Sequence, residues 1–201
     1  MQAEADIRAR LERETRVEHD AIERTLAELT GDTLTLARYC HRLVQLHGFH
    51  RAVEERLVSV PGLDLRERRK TPLLESDLVA LGIDERYWRT CTEIPRLDTT
   101  EERFGCLYVL EGSTLGGRII SRHLHRSLGV TPRTGGRFFH GYGARTGAMW
   151  REFRAALAAH AEVSESPDEI VAAAIATFRA LRSWCESGHV LAARGGQGVV
   201  A

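Results

Sequence analysis

Apolar residues recur at steps of three and four along most of this chain, the spacing of one face of an α-helix. Over residues 4 to 29 the stripe runs Ile7, Leu11, Thr15, His19, Ile22 and Leu26, which predicts one helix. Residues 34 to 58 repeat the pattern with Leu36, Tyr39, Leu43, Leu46, His50, Val53 and Leu57, ending before Pro61-Gly62. The short Gly31-Asp32 break predicts that these two helices lie antiparallel. From 61 to 98, Pro61, Pro72, Gly82 and Pro95 leave room only for short helices, one of them near Leu73 to Leu81. A long helix is predicted from about Thr100 to Leu128, stopped by Gly129 and followed by Pro132 and Gly135-Gly136. The last two are predicted at about Thr146 to Ala161 and Ser166 to Ser187, with Ser166 as a cap and Pro167 in the first turn. No stretch alternates with period two over strand length, and no segment repeats. The predicted fold class is all-α, a single-domain helical bundle over residues 1–188 with a flexible tail at 189–201.

Composition narrows the function classes. The 201 residues are 43% hydrophobic and 28% charged, enough for one domain with a sizeable core. Acidic and basic residues balance at 28 each, so no global field draws the chain to nucleic acid or an anionic membrane. Nucleic acid and membrane are not expected partners. Cys40, Cys91, Cys106 and Cys185 show no metal-ligand spacing and read as reduced core residues. The charged N-terminus has no apolar core region, and no later apolar run approaches the roughly 18 residues of a spanning helix, so a cytoplasmic protein is expected. Lys70 is the only lysine.

The segment from Tyr108 to Ile120 places Gly112, Gly116 and Gly117 inside a helix, where each costs about 1 kcal/mol relative to alanine. Gly112 and Gly116 share a face with Tyr108, and a face without side chains admits either a neighbouring helix or a flat ligand. Ser113 and Thr114 add small hydroxyls beside that backbone. His19 has Thr15 one turn before it and Glu23 one turn after. Such a histidine is either a packed core residue or an iron ligand whose second nitrogen a carboxylate orients. His50 points inward on the second helix, and with His47 and Glu54 offers a weak di-iron alternative that lacks a pair of Glu-x-x-His motifs. Arg151 and Arg154 are solvated cations or carboxylate clamps.

Taken together, Glu14-Thr15-x-x-x-His19-x-x-x-Glu23 and Leu110-Glu111-Gly112-Ser113-Thr114-Leu115-Gly116-Gly117 resemble the proximal and distal helix motifs of the heme oxygenases. The resemblance is to the bacterial branch, including the enzymes that accompany bacteriophytochromes. It extends from about residue 7 to residue 185, with Phe49-His50-Arg51-Ala52-Val53 and Met149-Trp150-Arg151 also similar. It implies a heme oxygenase that uses dioxygen and electrons from an external reductase or ferredoxin to cleave heme, both substrate and cofactor, into biliverdin, carbon monoxide and ferrous iron. A bacteriophytochrome is then a possible recipient of the biliverdin. By the same resemblance His19 binds the iron within reach of Glu23, and Gly112, Ser113, Gly116 and Gly117 lie over the heme. Tyr108 and Arg151 then meet propionates, Phe178 lines the pocket, and Ser113, Thr114 and His50 hold the water that delivers protons. Two positions depart from the family: Ser113 stands where animal enzymes carry a catalytic aspartate, and Glu12 where several members carry a propionate-binding lysine. The alternatives are a heme-delivery protein without turnover and a non-heme helical enzyme of related fold.

Overall fold

A computed structural model of the chain describes residues 2–187. Eight helices follow in order: α1 (Gln2–Glu14), α2 (Arg16–Thr25), α3 (Leu36–Arg56), α4 (Thr71–Ala80), α5 (Thr100–Leu128), α6 (Arg137–His140), α7 (Thr146–Val163) and α8 (Pro167–Glu186). Single 3-10 turns occur at Ala27–Thr30, Leu65–Arg68, Glu85–Tyr87 and Gly143–Arg145. The described residues contain no strand, only an isolated bridge between Val60 and Leu63. The all-α expectation holds; the expected tail lies outside the described residues. No described helix is long and apolar enough to cross a membrane.

The predicted span of α5 matches because both ends carry strong signals. Thr99 and Glu102 form a reciprocal capping box, and Gly129 closes the helix at φ +66, a conformation that favours glycine. The first predicted helix is instead two. Thr15 turns its hydroxyl back onto the Leu11 carbonyl at 2.7 Å, and such back-bonding bends a helix. α1 therefore ends at Glu14 and α2 starts at Arg16 in a new direction, followed by the 3-10 turn Ala27–Thr30. Ser166 holds the N-cap position of α8 but makes no side-chain cap bond.

Packing around α5 organises the rest. A Cβ on Gly105 would fall 2.3 Å from the Ile170 carbonyl oxygen and 2.7 Å from Ala173 Cβ, so the backbones of α5 and α8 nearly touch. α2 lies on α8, burying Ala21 and Ile22, and Arg179 donates to the Glu18 carboxylate at 2.7 Å. Arg42 of α3 reaches Glu28, the Thr25 carbonyl at 3.1 Å and the Cys185 carbonyl at 2.9 Å, fixing the far end of α2. Leu11, Leu29, Leu43, Phe49, Phe104, Phe153 and Ile170 fill the core. All four cysteines are free and buried, as their scatter implied, and burial pushes the Cys106 and Cys185 thiols up to about 12.

Candidate functional site

On a helix of 3.6 residues per turn, positions 105, 108, 112, 116, 119 and 123 of α5 share one broad face. That face is packed at both ends. Gly105 meets α8 as above, and the His123 ring nitrogen lies 3.2 Å from the Gly31 carbonyl, just past the 3-10 turn that ends α2. Between these anchors the face is bare. A Cβ on Gly112 would meet only the tip of Trp150, at 3.9 Å, and one on Gly116 would meet nothing within 4 Å. Leu115 and Ile119 stay 41% and 59% exposed beside the gap. Gly117 differs: its Cβ would fall 2.9 Å from the Phe139 carbonyl oxygen, so it serves a close crossing. The two explanations for the glycines thus divide between them, with Gly112 and Gly116 open and Gly117 packed.

α2 follows α1 directly, lies along α8 and leads into the same 3-10 turn, which packs on α5. The Tyr108 phenol lies close to Thr15 at the α1–α2 junction, so the start of α2, which carries His19, is near the part of α5 that leads to Gly112. His19 is the exception in its stripe: Ile7, Leu11, Thr15 and Ile22 are buried, whereas its side chain is 52% exposed. A packed core role is thereby excluded. The ring stands edge-on to Phe178 of α8, 5.7 Å between centroids. Its Nε2 lies 3.7 Å from Glu23 and its Nδ1 3.9 Å from Asp20, both beyond hydrogen-bond length. Glu18 faces inward to Arg179 and Arg182, which fixes the rotation of α2 and leaves His19, Asp20 and Glu23 outward. Among the described residues these three form the one group of His and carboxylate ligands close enough to share an ion.

Other expected site residues are placed differently. Phe178 lies against His19, Tyr108 lies against Trp150, and burial raises the Tyr108 phenol, opposed by nearby Thr15. Arg151 is exposed, with its guanidinium over Gly147, whereas Arg8 and Arg154 line the crevice that holds Tyr108 and Trp150. Arg154 shares a broad face of α7 with Arg151 but sits one turn, about 4.5 Å, further along the axis, and it is this arginine that lies beside Tyr108. Arg8 also pairs with Glu12 at 2.7 Å, which offsets the acidic residue standing at the family's lysine position. Ser113 sits exposed on the flank, its hydroxyl donating to the Leu110 carbonyl at 2.8 Å. Thr114 is turned behind α5, buried near Gly141, and its hydroxyl donates to the Glu111 carbonyl at 2.6 Å. It does not share the face of Gly112 and Gly116.

His50 is also behind α5. It is buried against Phe138, whose neighbour Phe139 packs on Gly117, and so an aromatic layer separates it from the bare face. Its Nδ1 is 3.8 Å from the Glu54 carboxylate, which accepts the Lys70 amide at 2.5 Å and the Thr71 amide at 3.3 Å. His47, one turn earlier, pairs instead with Glu75 at 3.6 Å, so no di-iron cluster assembles there.

Burial pushes the Glu54 carboxyl up, but the nearby His50 ring and the backbone amides of Lys70 and Thr71 outweigh it and hold the group at about 2. Because the folded value lies below the unfolded one, this stabilisation is complete above about pH 4.5 and is lost as pH falls toward 2. Its size is on the order of 3 kcal/mol. Glu54→Gln is expected to flatten the acid limb of stability: urea midpoints at pH 6 and pH 3 should differ less than in the unsubstituted protein. An equally steep limb would remove Glu54 as its source.

Comparisons with known proteins place nearly the whole chain. The heme oxygenase family model matches residues 5–187. A heme oxygenase of Xanthomonas campestris pv. campestris (strain 8004) is 33% identical over 141 residues, 69% of this chain and 79% of that protein. The fold matches that of the Neisseria meningitidis heme oxygenase, crystallised with NO and CO bound, at a TM-score of 0.71 and 22% identity over 94% of each chain. With the family match running from α1 through α8, the chain belongs to the heme oxygenase family.

Proposed function

We propose that the gap between α2 and α5 takes heme as substrate and that the chain directs its oxidative cleavage to biliverdin, carbon monoxide and ferrous iron. The observation that carries this reading is the pairing of His19, outward and free of hydrogen bonds, with a stretch of α5 that has apolar rims and no side chains at its centre. Those surroundings fit a flat apolar macrocycle with a metal at its middle. Bound heme supplies the redox chemistry; the protein supplies position.

Each residue then has a stated task. His19 holds the iron through one imidazole nitrogen while a carboxylate, Glu23 or Asp20, orients the other. The Phe178 edge limits sideways movement of the ring. Tyr108, with Arg8 and Arg154 in the same crevice, meets the propionates, since guanidinium and phenol donors suit carboxylates. The backbone at Gly112 and Gly116 approaches the opposite heme face and fixes which ring carbon is nearest to entering dioxygen, a proximity effect. Leu115 and Ile119 keep bulk water from the ring edge. Ser113 is the hydroxyl closest in sequence to that face, and it accepts or passes a proton only through water, because its own donor is engaged by Leu110. Electrons come from an external reductase or ferredoxin in the cytoplasm, and a bacteriophytochrome is the recipient of the pigment. Buried thiols and the lack of a membrane-crossing helix among the described residues are consistent with that setting.

One observation favours heme holding without turnover: the hydroxyls of Ser113 and Thr114 are both engaged by backbone carbonyls, and no carboxylate shares the bare face. A single experiment separates the readings. Stoichiometric heme is added, the Soret band recorded, and reductant supplied in air. Biliverdin absorbance replacing the Soret band supports cleavage; a persistent band leaves a heme carrier; no uptake removes both.

A further inference from the structure

The opposite side of α5 is held by one buried carboxylate. Glu111 immediately precedes Gly112 and is 1% exposed. Its Oε2 accepts from Arg68 Nη1 at 2.7 Å, and its Oε1 accepts from the Tyr142 hydroxyl at 2.6 Å and faces Lys70 Nζ at 3.4 Å. Lys70 is also 1% exposed. Its ammonium donates to the Arg68 carbonyl at 3.1 Å and to the Tyr142 oxygen, and sits 3.8 Å over the Tyr142 ring centre. Arg68 donates in turn to the Met149 carbonyl at 3.3 Å. Three separate segments, 68–70, 142–149 and α5, therefore converge on a single side chain.

Such a cluster is a costly way to gain stability, because desolvating the ions offsets much of their attraction and apolar packing does as well or better. What it provides is position: charge-assisted bonds fix a geometry more narrowly than apolar contacts. Position is what the adjoining stretch lacks, since Gly112 and Gly116 bring no side chains to lock it and its bare face meets only the tip of Trp150. We infer that Glu111 is a positioning residue: clamped by Arg68, Lys70 and Tyr142, it sets the height of the Gly112–Gly116 backbone over the heme and so restricts cleavage to one ring carbon. This rests on the heme-cleaving reading of the same site.

The test uses the full chain, with Glu111→Gln and Tyr142→Phe. The first keeps the volume and removes the charge; the second keeps the ring over Lys70 and removes only the hydroxyl. In heme-free protein, amide exchange across residues 112–117 is expected to quicken about tenfold in Glu111→Gln, and less in Tyr142→Phe, with α8 unchanged. After heme loading through an unaltered His19 spectrum, both variants are expected to yield mixed biliverdin isomers where the parent yields one. Unchanged local exchange together with a single isomer would overturn the inference, as would quickened exchange spread over the whole fold. Where Glu111→Gln does not fold, Tyr142→Phe decides on the same two readouts. Failure of the parent protein to cleave heme would instead reject the proposed function, while the exchange result would still report on the clamp.

Discussion

Gly116→Leu is expected to leave the free protein folded and at least as stable, yet to abolish heme uptake. A Cβ at position 116 meets nothing within 4 Å, so the leucine enters open space. Replacing a mid-helix glycine recovers about 1 kcal/mol of helix propensity. In a chain of this size that raises the thermal midpoint by about 2–4 °C. The same side chain occupies the surface where a porphyrin face is proposed to lie, so a Soret titration should show no saturable binding. Gly117→Ala should behave in the opposite way, because its Cβ would fall 2.9 Å from the Phe139 carbonyl oxygen. Overpacking there is expected to cost about 1–3 kcal/mol and to lower the midpoint. Normal heme titration by Gly116→Leu would show that the bare face is not the binding surface.

His19→Ala is expected to remove nitrogen coordination from the bound heme and reduce turnover by more than about 100-fold, since loss of residues that merely orient such ligands already costs about 10–100-fold. Stability should change by less than about 0.5 kcal/mol, because the side chain is half exposed and makes no hydrogen bond. Added imidazole should restore the spectrum, as the gap left at position 19 opens to solvent. A spectrum identical to that of the parent would assign the iron to another ligand.

Much of the fold was legible because its boundaries are written in local chemistry. α5 is bracketed by a threonine cap and a left-handed glycine, and proline opens α8. The division between α1 and α2 was not legible, because Thr15 continues the apolar stripe and the break arises from where its hydroxyl turns. In the site, His19 and the glycines stood out through the family resemblance, whereas spacing alone left each open between packing and ligand binding. The outward setting of His19 was not, since periodicity alone places it with Ile7 and Ile22; the inward pull of Glu18 on Arg179 decides it. The exchange of Arg151 for Arg154 and Arg8 beside Tyr108 follows from how α7 is set against α1, a tertiary property. The Glu111 clamp draws Arg68 and Lys70 from a connector with no periodicity, and its one sequence trace was that Lys70 is the only lysine.

The interior placement of Cys40, Cys91, Cys106 and Cys185 bears on oxidative damage. Sulfenic acids form where a sulfur is both ionised and reachable. Here every sulfur of that kind is shielded, and Met149 is enclosed as well. The fold thus keeps its thiols out of reach of oxidants in the surrounding solvent.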